Sequence, residues 1–575
     1  MPGDLRQPRR PQLAHLDLED TPERKPRGIT ALTVTTPTSL RPRQTTKVPP
    51  APRWKTPEFL FYGLVHVVVL PFLFKVPMDM SNPSNPNYIT FKGRLSPGWI
   101  GGRQVDNSDR QYRSFRDNIT ALVLLSSSHI TLGALYSWFT RSIPSLRPND
   151  ASQVPFTAVF SLLMLIGLHG SSSIKIVIIL AINYGIAKAL KGSPAAPFAT
   201  WCFNMVILFM NELHDGYKFA AIHPGLEILD SMRGFYPRWN VSFNITMLRL
   251  VSFSMDYYWA CRNPKNASDI SPAEEKERAK TSHALNEYNF TNYFAYAIYP
   301  PLYLTGPIMT FNNFMWQMRK PLNIPLRGTV MYLVRFIACF MTMELILHYM
   351  YVVAIKDTKA WWGGTPAQIG LVGFWNLVVV WLKLLIPWRF FRLWALAAGV
   401  DAPENMVRCV ANNYSVLGFW RSWHRSYNIW LTRYLYVPLG GSTRPIVSTL
   451  FVFTFVALWH DLSFNLLAWG WLASLFVIPE LSARHFVPAS KFGERPWHRH
   501  AAAVGGVFNL LMLMIANLVG FVVGVDGMKH MTSELFGTVK GLRFLAFACS
   551  CLFIAVQVMF EYREEEMRRG IYRRC

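Results

Sequence analysis

Trp459, His460 and Asp461 close the apolar run TLFVFTFVALWHD, which begins at Thr449. An imidazole at the lip of a membrane-length segment is costly, and such groups mark function by default. A second polar knot lies upstream, Phe419-Trp420-Arg421-Ser422-Trp423-His424-Arg425-Ser426-Tyr427-Asn428. On one continuous helix Trp420, His424 and Asn428 fall at i, i+4 and i+8 and share a face, with Arg421 and Arg425 as a neighbouring pair. Like charge disfavours the imidazolium beside two guanidiniums, and a neutral imidazole accepts a proton. Arginine forks suit phosphate, and the aromatic residues supply an apolar wall. Each piece has a plainer reading. A membrane-edge histidine is often a satisfied interfacial residue, the arginines can snorkel, and Asn413 and Asn428 can glue helices together.

The elements that hold these groups are membrane helices. The 575 residues are 51% hydrophobic and 16% charged, with mean hydropathy +0.18, whereas soluble proteins carry about 25% charged residues. Apolar stretches recur at 58–74, 119–138, 156–170, 174–190, 201–211, 330–355, 369–388, 446–459, 464–481, 501–525 and 541–560. Several reach the roughly 20 residues that span hydrocarbon. They are apolar all round, which excludes a soluble amphipathic helical protein, and they lack the alternation of a membrane barrel. The expected fold is all-α, a multi-pass bundle of about ten to twelve membrane segments, some broken or re-entrant. The net charge of +24 is spread over tails and loops, as for anchoring to anionic lipid rather than binding nucleic acid. Residues 1–57 read as a disordered basic arm, 58–562 as the transmembrane catalytic domain and 563–575 as a charged tail. No signal-peptide core precedes Phe59, so the first membrane helix is expected to be an uncleaved anchor.

Between apolar segments, SPAEEKERAK reads as a surface helix with Ser271 as N-cap and Pro272 at its first position. Pro300-Pro301 and Gly306-Pro307 forbid a straight helix through 299–314. Broken backbone at membrane depth must be surrounded by protein or line a cavity. Tyr303 and Asn312 are therefore candidate lining groups, with a kinked interfacial loop as the alternative. The seven cysteines lack metal-site spacing, so no metal is expected. Asn211–Asp215 reads as a loop at a helix end, and His66, His129, His169, His348 and His485 read as structural.

FWRSWHRSYNIWLTRYLYVPLGGS followed by FVALWHD resembles the signature of the membrane-bound O-acyltransferase family. LRLVSFSMDYYW (248–259) and YPPLYLTGPIMTFNNF (299–314) resemble its fungal glycerol-uptake-protein branch, which is close to Hedgehog acyltransferase. The resemblance implies that the family's invariant histidine falls on His460 and its more variable polar position on His424. It also implies an endoplasmic reticulum membrane enzyme with acyl-CoA as co-substrate and a lysophosphatidylinositol-type glycosylphosphatidylinositol anchor as acceptor. In that setting His460 is the general base and His424 orients the acceptor or assists the thioester carbonyl. Asn428 hydrogen-bonds the developing oxyanion, and Arg421, Arg425 and Arg433 meet CoA phosphates. No serine triad or GxSxG elbow is present in the sequence, which points to direct transfer. Cys409 has a spacing similar to that of a haem-bearing cysteine in Hedgehog acyltransferase, although a structural cysteine is the better reading and no cofactor is required. The rival functions are a transporter of glycerol or a similar polyol and a Hedgehog-type protein N-acyltransferase.

Overall fold

A computed structural model describes residues 50–142, 153–264, 272, 274–571 and 573. In chain order the helices that matter here are α1 (Pro57–Met80), α2 (Ile119–Ser142), α3 (Gln153–His169), α4 (Ser172–Leu190), α5 (Ala195–Leu213), α6 (Trp239–Arg262), α7 (Phe290–Ala297) and α8 (Phe311–Arg319). They continue with α9 (Leu326–Tyr349), α10 (Pro366–Ala397), α11 (Val416–Ser422), α12 (Arg425–Leu431), α13 (Pro445–His460), α14 (Phe464–Leu475), α15 (Pro496–Phe521) and α16 (Val539–Arg568). Among the described residues eight spans are long and apolar enough to cross a membrane: α1, α2, α4, α9, α10, Phe464–Phe486, α15 and α16. The shorter apolar helices α3 and α13 lie among them. The protein is thus an integral multi-pass helical bundle, as the hydropathy pattern requires. Starts follow local chemistry. Thr56 caps α1 ahead of Pro57, and Thr365 and Gln368 form a reciprocal capping box ahead of α10.

One helix organises the rest. Every residue of α6 from Thr246 to Tyr258 is buried, including Arg249, Ser252 and Asp256. These polar groups answer the backbone that the prolines leave unpaired. Arg249 donates to the carbonyl of Ala297 at 2.8 Å and to that of Leu302. Ser252 Oγ accepts the N–H of Phe311 at 3.0 Å, and Asp256 accepts that of Asn312 at 3.2 Å. Tyr296 donates to the carbonyl of Met309 at 2.6 Å. Asp256 also takes Arg433 at 2.8 Å and the Tyr434 hydroxyl at 3.0 Å.

The 299–314 segment therefore differs from the cavity-lining expectation: it is packed core. Tyr303 is buried and hydrogen-bonds His169 Nε2 at 2.9 Å. Asn312 is buried too, accepting from the Tyr288 hydroxyl at 2.8 Å through its side chain. One internal donor, Arg249, and two acceptors, Ser252 and Asp256, all from α6, fill the role that water would play in a cavity. The surface helix after the long loop runs from Glu275 to Lys280, while Ser271, expected as its cap, lies outside the described residues.

The C-terminal tail also differs from a free charged end. α16 continues to Arg568 and docks: Glu566 pairs with buried Arg408 at 2.7 Å, and Arg563 donates to Asn412 at 2.8 Å. Glu561 and Arg568 hold the segment before α1, through the Arg53 N–H at 3.1 Å and the Pro50 carbonyl at 2.8 Å. A buried glutamate needs a cation, and the tail arginines have carboxylates of their own to serve.

Removing one partner of a buried pair leaves the other uncompensated, at a cost of about 3–5 kcal/mol. Asp256→Ala strands Arg433 and the Asn312 N–H together, so it is expected to destabilise by about that amount in thermal unfolding of detergent-solubilised protein. An unchanged melting curve would show that Asp256 does not brace the broken segment.

Candidate active site

The upstream knot is not one helix. α11 ends at Ser422, Trp423 is extended (φ −76°, ψ 129°), His424 is left-handed (φ 45°, ψ 49°), and α12 begins at Arg425. The loop that follows α10 causes the break by offering the backbone other partners. Met406 pairs with Trp423 in an isolated antiparallel bridge. Asn405 accepts the Arg425 N–H at 3.0 Å through its carbonyl and the Ser426 N–H at 3.1 Å through its side chain. Ser426 Oγ in turn accepts the N–H of Ile308 at 2.9 Å, tying the knot to the proline segment. A left-handed residue with a Cβ costs roughly 1–2 kcal/mol, so these contacts must over-determine it.

The break separates residues that a continuous helix would align. Trp420 turns toward Phe453 and Trp469, with ring centroids 5.3 and 5.7 Å away. His424 lies flat on Trp388 at 4.6 Å, one residue beyond the helix-interior Pro387 of α10. From His424 a row of rings leads to the second histidine: Tyr427 at 5.1 Å, then Trp459 at 4.7 Å from Tyr427, then His460 at 4.8 Å from Trp459.

His460 is the last residue of α13, and its neighbour Trp459 fixes that end by donating to the Asn244 carbonyl at 2.9 Å. Trp469 and Phe521 close around the imidazole at 6.2 and 6.4 Å. The histidine nevertheless remains exposed. The imidazole is thus flanked by three aromatic rings at the end of its helix without being buried by them. Asp461 is exposed at the rim, as is Glu212. No hydrogen bond joins it to His460 among the described residues.

The arginines divide. Arg425 pairs with Glu275 at 3.1 Å and Arg433 with Asp256 at 2.8 Å, so both are committed to internal carboxylates. Arg421 is exposed and has no carboxylate partner among the described residues. The Asn428 side chain is half-buried, also without an internal partner. Three buried donors around the knot, Trp420 Nε1, Tyr427 Oη and Asn405 Nδ2, have no partner among the described residues. Tyr303 and Asn312 belong to the core described above and stand apart from this group.

Sequence reasoning passed over Tyr427, Trp388 and Asn405. Tyr427 stood inside the quoted motif, and its spacing from His424 was the available signal. Asn405 and Trp388 are brought in by tertiary packing alone. Cys409 is an exposed thiol bordering a separate cavity of about 460 Å³, which also holds Arg335 and Arg389. Two thiols, Cys339 and Cys409, and three guanidiniums, Arg335, Arg389 and Arg408, line that cavity, and Arg408 is paired with Glu566 at 2.7 Å. No group of three or more metal-ligating side chains occurs among the described residues.

Residues 191–525 match the model of the membrane-bound O-acyltransferase family. The chain is similar to the membrane-bound O-acyltransferase GUP1 of Saccharomyces cerevisiae, 45% identical over 91% of this chain and 94% of the yeast protein. It is 42% identical to gup1 of Schizosaccharomyces pombe, over 90% of each chain. A more distant likeness, 26% identical over 52% of this chain and 60% of the other, is to the mouse protein-cysteine N-palmitoyltransferase HHAT.

If His424 is held left-handed by its surroundings, glycine should fit that backbone better than alanine. His424→Gly is expected to melt above His424→Ala, the two differing by about 1 kcal/mol. Equal melting temperatures would mean that the left-handed turn relaxes once the imidazole is gone.

Proposed function

The chain belongs to the membrane-bound O-acyltransferase family, and from that premise we propose that it moves a fatty acyl group from acyl-CoA to a hydroxyl of a lysophosphatidylinositol-type glycosylphosphatidylinositol anchor, in the endoplasmic reticulum membrane. The observation that carries the chemistry is His460, exposed at the end of a membrane helix yet enclosed by aromatic rings. His460 takes the acceptor hydroxyl proton as the oxygen attacks the thioester carbonyl. The carbon–sulfur bond then breaks, the acyl group stays on the acceptor oxygen, and the proton passes to the departing CoA thiolate. A positioned base contributes about 10²–10⁴-fold.

His424 holds the acceptor or the thioester carbonyl from the other end of the ring row. Asn428 and Tyr427 are free to donate to the oxyanion, which favours pre-placed donors in a dry site. Arg421 is the guanidinium left available for a CoA phosphate, and Trp420 walls the site with its ring against Trp469. Arg425 and Arg433 act by bracing the segment rather than by meeting CoA. The protein needs no cofactor for this transfer.

A panel assay with purified protein tests the proposal: labelled palmitoyl-CoA is offered with a lyso-anchor, a lysophospholipid and an N-terminal cysteine peptide. The lyso-anchor is expected to be labelled most. His460→Ala is expected to lose about 10²–10⁴-fold, and His424→Ala less. Labelling of the peptide in preference to either lipid would overturn the acceptor assignment. Glycerol uptake by proteoliposomes, unaffected by His460→Ala and with no acyl transfer, would overturn the enzymatic role.

A further inference from the structure

The cavity of about 460 Å³ beside Cys409 lies between α9 and α10, away from the two histidines. Arg335 and Cys339 of α9 face Trp381 and Arg389 of α10 across it, and Met406 and Cys409 close it. Arg389 is 8% exposed, its NH1 donates to Cys339 Sγ at 2.9 Å, and its Nε has no partner. Trp381 Nε1 is a second buried donor without a partner. Arg335 has no ion pair among the described residues and lines the same cavity as Arg389. The nearby carboxylate, Glu404, is taken up by the Tyr332 hydroxyl at 2.8 Å and by Arg392 at 3.7 Å.

Of the three guanidiniums that line the cavity, Arg408 is paired with Glu566 at 2.7 Å, whereas Arg335, Arg389 and the orphan indole N–H have no anion among the described residues. Unpaired cations at membrane depth are expensive, so the cavity is built for something that brings negative charge. The place says where it comes from. Arg335 is nine residues from the start of α9 and Arg389 eight from the end of α10. At 1.5 Å per residue they sit about 14 and 12 Å from those helix ends. Each thus lies more than two turns inside a helix long and apolar enough to cross a membrane. The mouth is apolar and outward-facing: Met331 and Val334 on α9 are 59% and 52% exposed.

We propose that this cavity binds an anionic phospholipid drawn from the bilayer. The phosphate sits between Arg335 and Arg389 and takes the Trp381 N–H, and the acyl chains lie along Met331 and Val334. Met406, in the cavity wall, is the residue that bridges to Trp423. The bound lipid therefore buttresses the loop that holds His424 left-handed.

The test is native mass spectrometry of the full chain released from nanodiscs of phosphatidylcholine and phosphatidylglycerol with matched acyl chains. Wild type is expected to retain phosphatidylglycerol over phosphatidylcholine by about tenfold. Arg335→Gln with Arg389→Gln abolishes that preference, and Lys540→Gln on α16 leaves it intact. In wild type, phosphatidylglycerol is also expected to slow maleimide labelling of Cys409 and leave that of Cys202 unchanged, a readout that needs no variant to fold. Equal retention of the two lipids, or no protection of Cys409, would overturn the proposal. Protection by inorganic phosphate alone would assign the cavity to a soluble anion instead. A Soret band lost in Cys409→Ala would assign it to haem and equally overturn the lipid.

Discussion

Within hydrocarbon, backbone groups must find partners inside the protein, and this chain breaks its helices at the double proline and again at His424. The burden falls on α6. Arg249 donates to the carbonyls around the double proline, Ser252 and Asp256 accept the N–H groups that follow, and Asp256 also anchors Arg433 and Tyr434 beyond the knot. A buried arginine and a buried aspartate in a helix otherwise fit to be core are costly alone. They are repaid by the backbone they complete.

The histidine site inherits its shape from that bracing. Ser426, two residues past His424, accepts the N–H of Ile308 in the proline segment, and Asn405 captures the two N–H groups at the start of α12. The knot is thereby pinned from two sides, and His424 is forced into a backbone region that residues with a Cβ avoid. What this achieves is orientation. The imidazole lies on Trp388 and looks down a row of rings toward His460, whose own helix end is fixed on Asn244. Rigid aromatic contacts place the two histidines, and among the described residues no hydrogen bond takes up their ring nitrogens.

Much of this was legible in the sequence. All-round apolar stretches gave the spans, because a helix in lipid has no polar face to hide. His460 stood out because an imidazole at the end of an apolar helix has no cheap explanation, and the paired motifs resembled one family. The misreadings share one cause. Periodicity assumes an unbroken helix, so Trp420, His424 and Asn428 were aligned on a face that the Met406 bridge destroys. Tyr303 and Asn312 looked like cavity groups because the partners that bury them, His169 and Tyr288, lie far away or across a turn in sequence. Arg425 and Arg433 looked free for phosphate because Glu275 and Asp256 are distant along the chain. Spacing reports what shares a helix; it does not report which carboxylate a fold brings to a guanidinium.

The central claim is that His460 acts on the proton and not on binding. Single-turnover acyl transfer, measured alongside acyl-CoA affinity in wild type and His460→Ala, tests it most directly. General-base catalysis requires the chemical rate to fall by about 10²–10⁴-fold with affinity unchanged. A rate that survives the substitution, or a loss confined to acyl-CoA affinity, would contradict it.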